Sequence, residues 1–220
     1  MIVITANQLH NGSAIEPDLA AVAGLTGIFG DRLPLPDHGA LGDEFQILVD
    51  TGDTALAVAL VLTRGGTWSV GIGVGTVVEP LDGSVQSGSG NAFVAAHAAV
   101  VRAEKRGTHL AVAAQPRHQL ARDIESLIDL LLILRARRSA QGWEIHDLLG
   151  SGLSQAAAAA RMGITPQSAS KRARAAEIKA EDAALAPLGR LIDRLDDSVA
   201  GAGPQRVGPG TGAASGARGG

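Results

Sequence analysis

The 24 residues from Leu153 to Ala176, LSQAAAAARMGITPQSASKRARAA, constrain this chain more than any other stretch. Ser154 is placed to cap a helix, and Gln155 to Met162 are mostly strong helix formers. Gly163 falls where that helix must stop, because glycine enters the left-handed backbone region without steric cost. Ile164 is an apolar plug for the turn. Thr165 caps a second helix, with Pro166 at its first position, where a missing N–H does no harm. The alanines let two helix backbones approach closely. Two short helices joined in this way have the pattern of a DNA-binding helix-turn-helix, whose second helix enters the major groove.

The outward residues of the second helix suit duplex DNA as partner. Thr165, Gln167 and Ser168 lie at its N-terminal end, where base edges are met; Gln makes paired bonds to adenine, and Ser or Thr bonds to several groups. Ser170, Lys171, Arg172 and Arg174 follow and are placed to hold phosphates. The plain alternative is a helical hairpin that packs a core and ends in a solvated basic face.

Charge distribution favours the DNA reading. The chain's net charge is −3, yet residues 121–180 carry nine basic and six acidic groups, a local +3, while residues 1–120 carry six and eleven. A margin that small implies weak binding by a monomer and help from dimerisation. Cysteine is absent, so there is no disulfide framework and no thiolate metal site. The first residues lack the basic lead and long apolar region of a signal peptide, and the most apolar run, Leu127 to Leu134, is too short to span a bilayer. The expected location is the cytoplasm.

At 220 residues there is room for a real core. Strands are expected at 1–7, around Leu33 to Leu35, at Phe45 to Val49, at Trp68 to Val78 and at His109 to Ala113. Helices are expected from Pro17 to Phe29, from Thr54 to Thr63 under an Asp53 cap, and from Asn91 to Lys105. The first six elements match a split β-α-β, ferredoxin-like plan, an antiparallel sheet covered on one face by helices. The fold class is thus α+β: a ferredoxin-like domain over 1–116, an all-α domain over 117–199 that contains the helix-turn-helix at 153–176, and a Gly- and Ala-rich disordered tail over 200–220. Within 117–199, Pro116 to Ala121 reads as a linker, Asp123 to Ser139 as a long helix, Gly142 as an interruption and Trp143 to Leu149 as a supporting helix. Glu177 to Val199 reads as an amphipathic helix broken by Pro187, a packing helix or a dimer helix. Trp68 and Trp143 read as core anchors.

A second candidate site lies at Gly42-Asp43-Glu44-Phe45-Gln46, where adjacent acids in a glycine turn could hold a divalent cation. This run, with Trp-Ser-Val-Gly-Ile-Gly-Val-Gly at 68–75, resembles the palm domain of nucleotide cyclases of the GGDEF and class III type. The match to a narrower group is closer. Thr-Ala-Asn-Gln at 5–8, Gly-Asp-Glu-Phe-Gln at 42–46, the 68–75 run and Gly-Ser-Gly-Asn-Ala-Phe-Val-Ala-Ala at 88–96 occur in that order, ahead of the helix-turn-helix. The chain in this respect resembles the SatD-like proteins of actinobacteria over roughly residues 1–195. The resemblance implies a cyclase-like palm joined to a DNA-binding unit; the alternative function is a metal–nucleotide-binding protein or degenerate cyclase-like enzyme, with Mg²⁺ and a nucleotide held by Asn7, Asp43 and Glu44. The family's first strand tends to carry an Asp where this chain has Asn7, and an amide brings no charge to a cation. No catalytic residue is therefore assigned, and Asp43 and Glu44 have a structural reading as hairpin caps. The Gly88-to-Asn91 loop opens a helix and reads as an anion site or as ordinary capping. The six histidines show no metal-ligand spacing.

Overall fold

The structure, a computed structural model, describes residues 1–9, 25, 29, 44–78 and 89–201. The expected strand near Leu33 to Leu35, Asp43 and nearly all of the 200–220 tail lie outside the described residues. Of the helix expected from Pro17 to Phe29, Leu25 and Phe29 are described; both are helical, and Leu25 is buried in the core.

The fold is mixed α and β. Four strands, β1 (Ile2–Gln8), β2 (Glu44–Val49), β3 (Trp68–Val74) and β4 (Leu110–Ala114), form one sheet in the order β2-β1-β3-β4. Among the described residues seven helices can be traced end to end: α1 (Gly52–Leu62), α2 (Asn91–Ala103), α3 (His118–Ala136), α4 (Ala140–Gly150), α5 (Gln155–Arg161), α6 (Pro166–Ala175) and α7 (Ile178–Ala200). β1 runs antiparallel to both neighbours, with Ile4 opposite Ile47 on one side and Ile72 on the other. β2, α1 and β3 thus make a β-α-β unit split by β1.

Two expectations for the sheet are corrected. β4 is parallel to β3, with Val70 opposite Leu110, so the sheet is not purely antiparallel. Helices also cover both faces rather than one. A parallel pair needs a crossover, and α2 supplies it. Side chains alternate along a strand. Ile2, Ile4 and Ala6 therefore join one core with α1, α3 and α7, while Val3 packs with Ala92, Phe93 and Ala96 of α2 on the other face. The glycines of β3 let α2 lie in backbone contact with the sheet. A Cβ on Gly71 would come within 2.4 Å of the Ala96 carbonyl oxygen, and one on Gly73 within 2.1 Å of the Ala96 nitrogen.

Element ends differ from expectation where tertiary contacts or caps intervene. Thr51, not Asp53, caps α1, its hydroxyl accepting the N–H of Thr54. β3 stops at Val74, and Val78 forms an isolated bridge to Ser89. Gly90 precedes α2 at φ 130° with no side-chain cap, so the ordinary capping expected there is not seen. α3 begins at His118, inside the expected linker. Gly142 does not interrupt α4; it is buried within it, capped from Ser139. α7 runs unbroken through Pro187, because its apolar row of Ile178, Leu188, Ile192, Leu195 and Val199 is buried on both sides of the proline. That burial makes α7 a packing helix.

The main core joins the sheet to α1, α3 and α7. A second, smaller core gathers Ile145 of α4, Ala158 and Ala159 of α5, Ala169 of α6, Ala176 and Ile178. Among the described residues no helix is long and apolar enough to cross a membrane.

Candidate nucleic-acid interface

The small core positions the candidate interface. Ser154 caps α5, its hydroxyl accepting the N–H of Ala157 at 3.2 Å. α5 stops at Arg161, and Gly163, just past its Met162 cap, sits at φ 65°, in the left-handed region. Ile164 packs against the small core from the turn. Thr165 then caps α6, accepting the N–H of Ser168 at 3.2 Å, with Pro166 in the first turn. Ala158, Ala159 and Ala169 are fully or almost fully buried, so the two helices meet through methyl groups.

α6 turns Ala169, Ala173 and Ala176 inward. Gln167, Lys171 and Arg174, at i, i+4 and i+7, share the opposite face and are exposed. Ser168 is exposed beside them, and Ser170 and Arg172 are half-buried on the flanks. The Thr165 hydroxyl is committed to the cap and donates to Ser168 Oγ at 3.0 Å. Lys171, Arg172 and Arg174 make no ion pair among the described residues. Between Ser154 and Ala176 there are four cations, Arg161 included, and no carboxylate. The structure therefore brings all seven expected interface residues onto one short helix and its N-cap, with a row of donors facing away from the core.

A cleft of about 700 Å³ lies behind this helix, with Leu149, Ala173 and Ile178 as apolar walls and Ser170, Arg174 and Lys179 as polar ones. Its far wall carries Glu177, which links α6 to α7 at φ 52°.

The second candidate site is less complete. Asn7 and Glu44 are opposite each other on β1 and β2. The Asn7 amide nitrogen donates to Glu104 at 2.8 Å, and Glu44 accepts from Gln46 at 3.3 Å and lies 3.9 Å from His97 Nδ1. The Asn7 Oδ1 atom is buried and has no hydrogen-bond partner. Asp43 lies outside the described residues. Among the described residues no three His, Asp or Glu side chains converge to hold a metal ion. Asn7 and Glu44, two of the three expected ligands, are thus brought side by side at one end of the β1–β2 pair.

Sequence reasoning missed a charged cluster beneath the interface. Glu181 of α7 is buried and bonded by Arg135 of α3 and by Arg138, the latter at 2.5 Å. Arg135 also donates to the Leu60 carbonyl of α1 at 3.0 Å, and Arg138 to the Ala176 carbonyl at 2.9 Å. Trp143 of α4 is not a core anchor but a half-buried plate among guanidinium groups. Its ring centre lies 4.2 Å from Arg64, 4.4 Å from Arg138 and 4.9 Å from Arg135. Arg64 also grips Asp147 of α4 with two bonds, at 2.9 and 2.7 Å. One network therefore joins α1, α3, α4 and α7. Trp68, by contrast, is a core residue, edge-on to Phe45 with ring centres 5.0 Å apart.

The network sets its own protonation. Burial pushes the Glu181 carboxyl up, but hydrogen bonds from His146 and Arg138 and the charges of Arg135 and Arg138 outweigh it and hold it at about 2. Burial also pulls the Arg135 guanidinium down, against the Glu181 charge, from a starting value so high that it stays charged. For Asp147, burial pushes up and the bonds from Arg64 and His146 win, leaving it lowered. His146 is raised, first by its bond to Glu181 and against its own partial burial. A raised folded value means that the His146 contribution is complete below 6.5 and is lost as pH rises through the folded value. We expect His146→Gln to remove part of the decline in stability as pH rises above 6.5. Denaturant midpoints across that range check this; an unchanged slope would refute it.

Comparison with protein-family models, with curated proteins and with solved structures found no match.

Proposed function

We propose that this chain is a DNA-binding transcriptional regulator of the SatD-like kind, in which α5 and α6 form a helix-turn-helix and α6 reads duplex DNA from the major groove. The observation that carries the reading is the exposed row Gln167–Lys171–Arg174 on a helix capped at Thr165, in a stretch of four cations without a carboxylate. An α-helix with its side chains is about 10–12 Å across, which fits a major groove about 12 Å wide. The neutral cap end offers hydrogen-bonding groups to base edges, and the cationic end offers charge to phosphates. The sheet domain is a ferredoxin-like, cyclase-like palm that serves as a sensory or dimerising module. The split β2-α1-β3 unit around β1 supports that relationship. Such a regulator works in the cytoplasm on double-stranded DNA.

Selection from sheared genomic DNA by the purified protein tests the reading. Wild type is expected to enrich a discrete sequence. Lys171→Ala/Arg172→Ala should weaken binding across sequences and reduce the slope of log affinity against log salt by about 2. Gln167→Ala should relax base preference by about 1–3 kcal/mol at one position. No enrichment at low salt, or a double variant with unchanged affinity and slope, would overturn the proposal.

A further inference from the structure

The outer face of α3 presents large apolar side chains to solvent. Leu130 is 65% exposed, Ile133 51% and Leu127 45%, and Leu134 is half-buried. On a helix of 3.6 residues per turn they form one stripe, opposite the row of Ile124, Ile128 and Leu132 that enters the main core. A contiguous apolar stripe of this kind marks a contact surface.

The stripe is self-complementary about Leu130. Three residues to either side stand Leu127 and Ile133. Seven residues to either side, about two helical turns, stand Asp123 and Arg137. A second α3 laid antiparallel across the first therefore sets Leu130 against Leu130 and Leu127 against Ile133. It also sets Asp123 against Arg137 at both ends. A parallel arrangement would instead oppose Asp123 to Asp123 and Arg137 to Arg137, which is repulsive. Both charges are available: among the described residues Asp123 accepts a bond only from Gln119 one turn away, and Arg137 has no ion pair. The other amphipathic helix, α7, cannot supply such a face, because its apolar row is buried within its own chain.

We propose that α3 binds a second copy of this chain, antiparallel, about a two-fold axis at Leu130. An isologous contact of this form closes on itself and gives a dimer. A patch of four aliphatic side chains per copy is smaller than a standard stable interface, so the dimer forms in the micromolar range. The inference stands apart from the DNA reading, and its test uses no DNA.

Sedimentation velocity of the full chain from about 1 to 100 μM is expected to show a monomer–dimer equilibrium. Leu130→Asp opposes two carboxylates on the axis and should weaken the dimer at least about 100-fold. Asp123→Arg and Arg137→Asp should each weaken it about 10-fold, and the double reversal should restore it, because opposite charges then face each other again. The reversals keep the test open if Leu130→Asp perturbs α3. A wild type that stays monomeric throughout, or a dimer indifferent to Leu130→Asp and to the reversals, would overturn the proposal.

Discussion

Glu181→Gln is expected to cost about 3–5 kcal/mol of stability, the usual penalty for leaving a buried ion without its partner. The carboxylate is the shared counter-ion of two arginines whose side chains are 8% and 0% exposed. Neither guanidinium can turn to water, and the Trp143 face is no substitute for a negative charge. At this chain length such a loss lowers the melting temperature by about 10 °C. The pH dependence carries the same signature. A carboxyl held at about 2, against an ordinary 4.5, contributes stability that is complete above 4.5 and is lost as pH falls toward 2. The wild type should therefore weaken through that acid window, and Glu181→Gln should be flatter there while less stable at neutral pH. Calorimetry from pH 3 to 7 reads both effects. A variant that melts with the wild type at neutral pH would show that the cluster contributes nothing to the fold.

Gly73→Ala should be comparably damaging, although it adds one methyl group. The added carbon would sit 2.1 Å from the Ala96 nitrogen, 2.3 Å from the Ala92 carbonyl oxygen and 2.6 Å from the Ala96 Cα. All three are backbone atoms of α2, so no side chain can rotate away. The helix must lift off the sheet, and the contacts of Ala92, Phe93 and Ala96 with Val3 and Leu48 open with it. A loss of about 3 kcal/mol or outright failure to fold is expected. Gly107→Ala is the control, since nothing lies within 4 Å of its added carbon. Urea unfolding of the two variants separates them. If Gly73→Ala lies within about 1 kcal/mol of wild type, the close approach of α2 is not structurally required.

What the sequence made legible was local. Ser154, Gly163, Thr165 and Pro166 act within one or two turns of themselves, so a single chain is enough to read the caps and the stop between α5 and α6. The same holds for the strand Ile2–Gln8, which opens on a run of four β-branched residues. What was hidden depends on partners distant in sequence. Arg135 and Arg138 look like the basic end of any helix until Glu181 arrives 43 to 46 residues later. Trp143 looks like core because its composition says nothing of the three guanidinium groups that surround it. Gly71 and Gly73 were visible in a strand, but the helix they admit was not tied to them, and so the second covered face of the sheet was missed. Pro187 signalled a break that burial on both sides prevents.

α7 also has a consequence in time. It closes over the face built from the first strands: Gly52 donates its N–H to Asp193 at 2.5 Å, and Ile192 and Leu195 are fully buried in the sheet's main core. These contacts span about two thirds of the chain. A polypeptide emerging from the ribosome makes β1 to β4 and α1 to α3 well before it makes their cover. Until residue 200 is free, an apolar wall stands open to water, and the nascent chain is a natural client for chaperones that hold exposed apolar surface. The small helical core, made of neighbours in sequence, is free to form before α7 is complete.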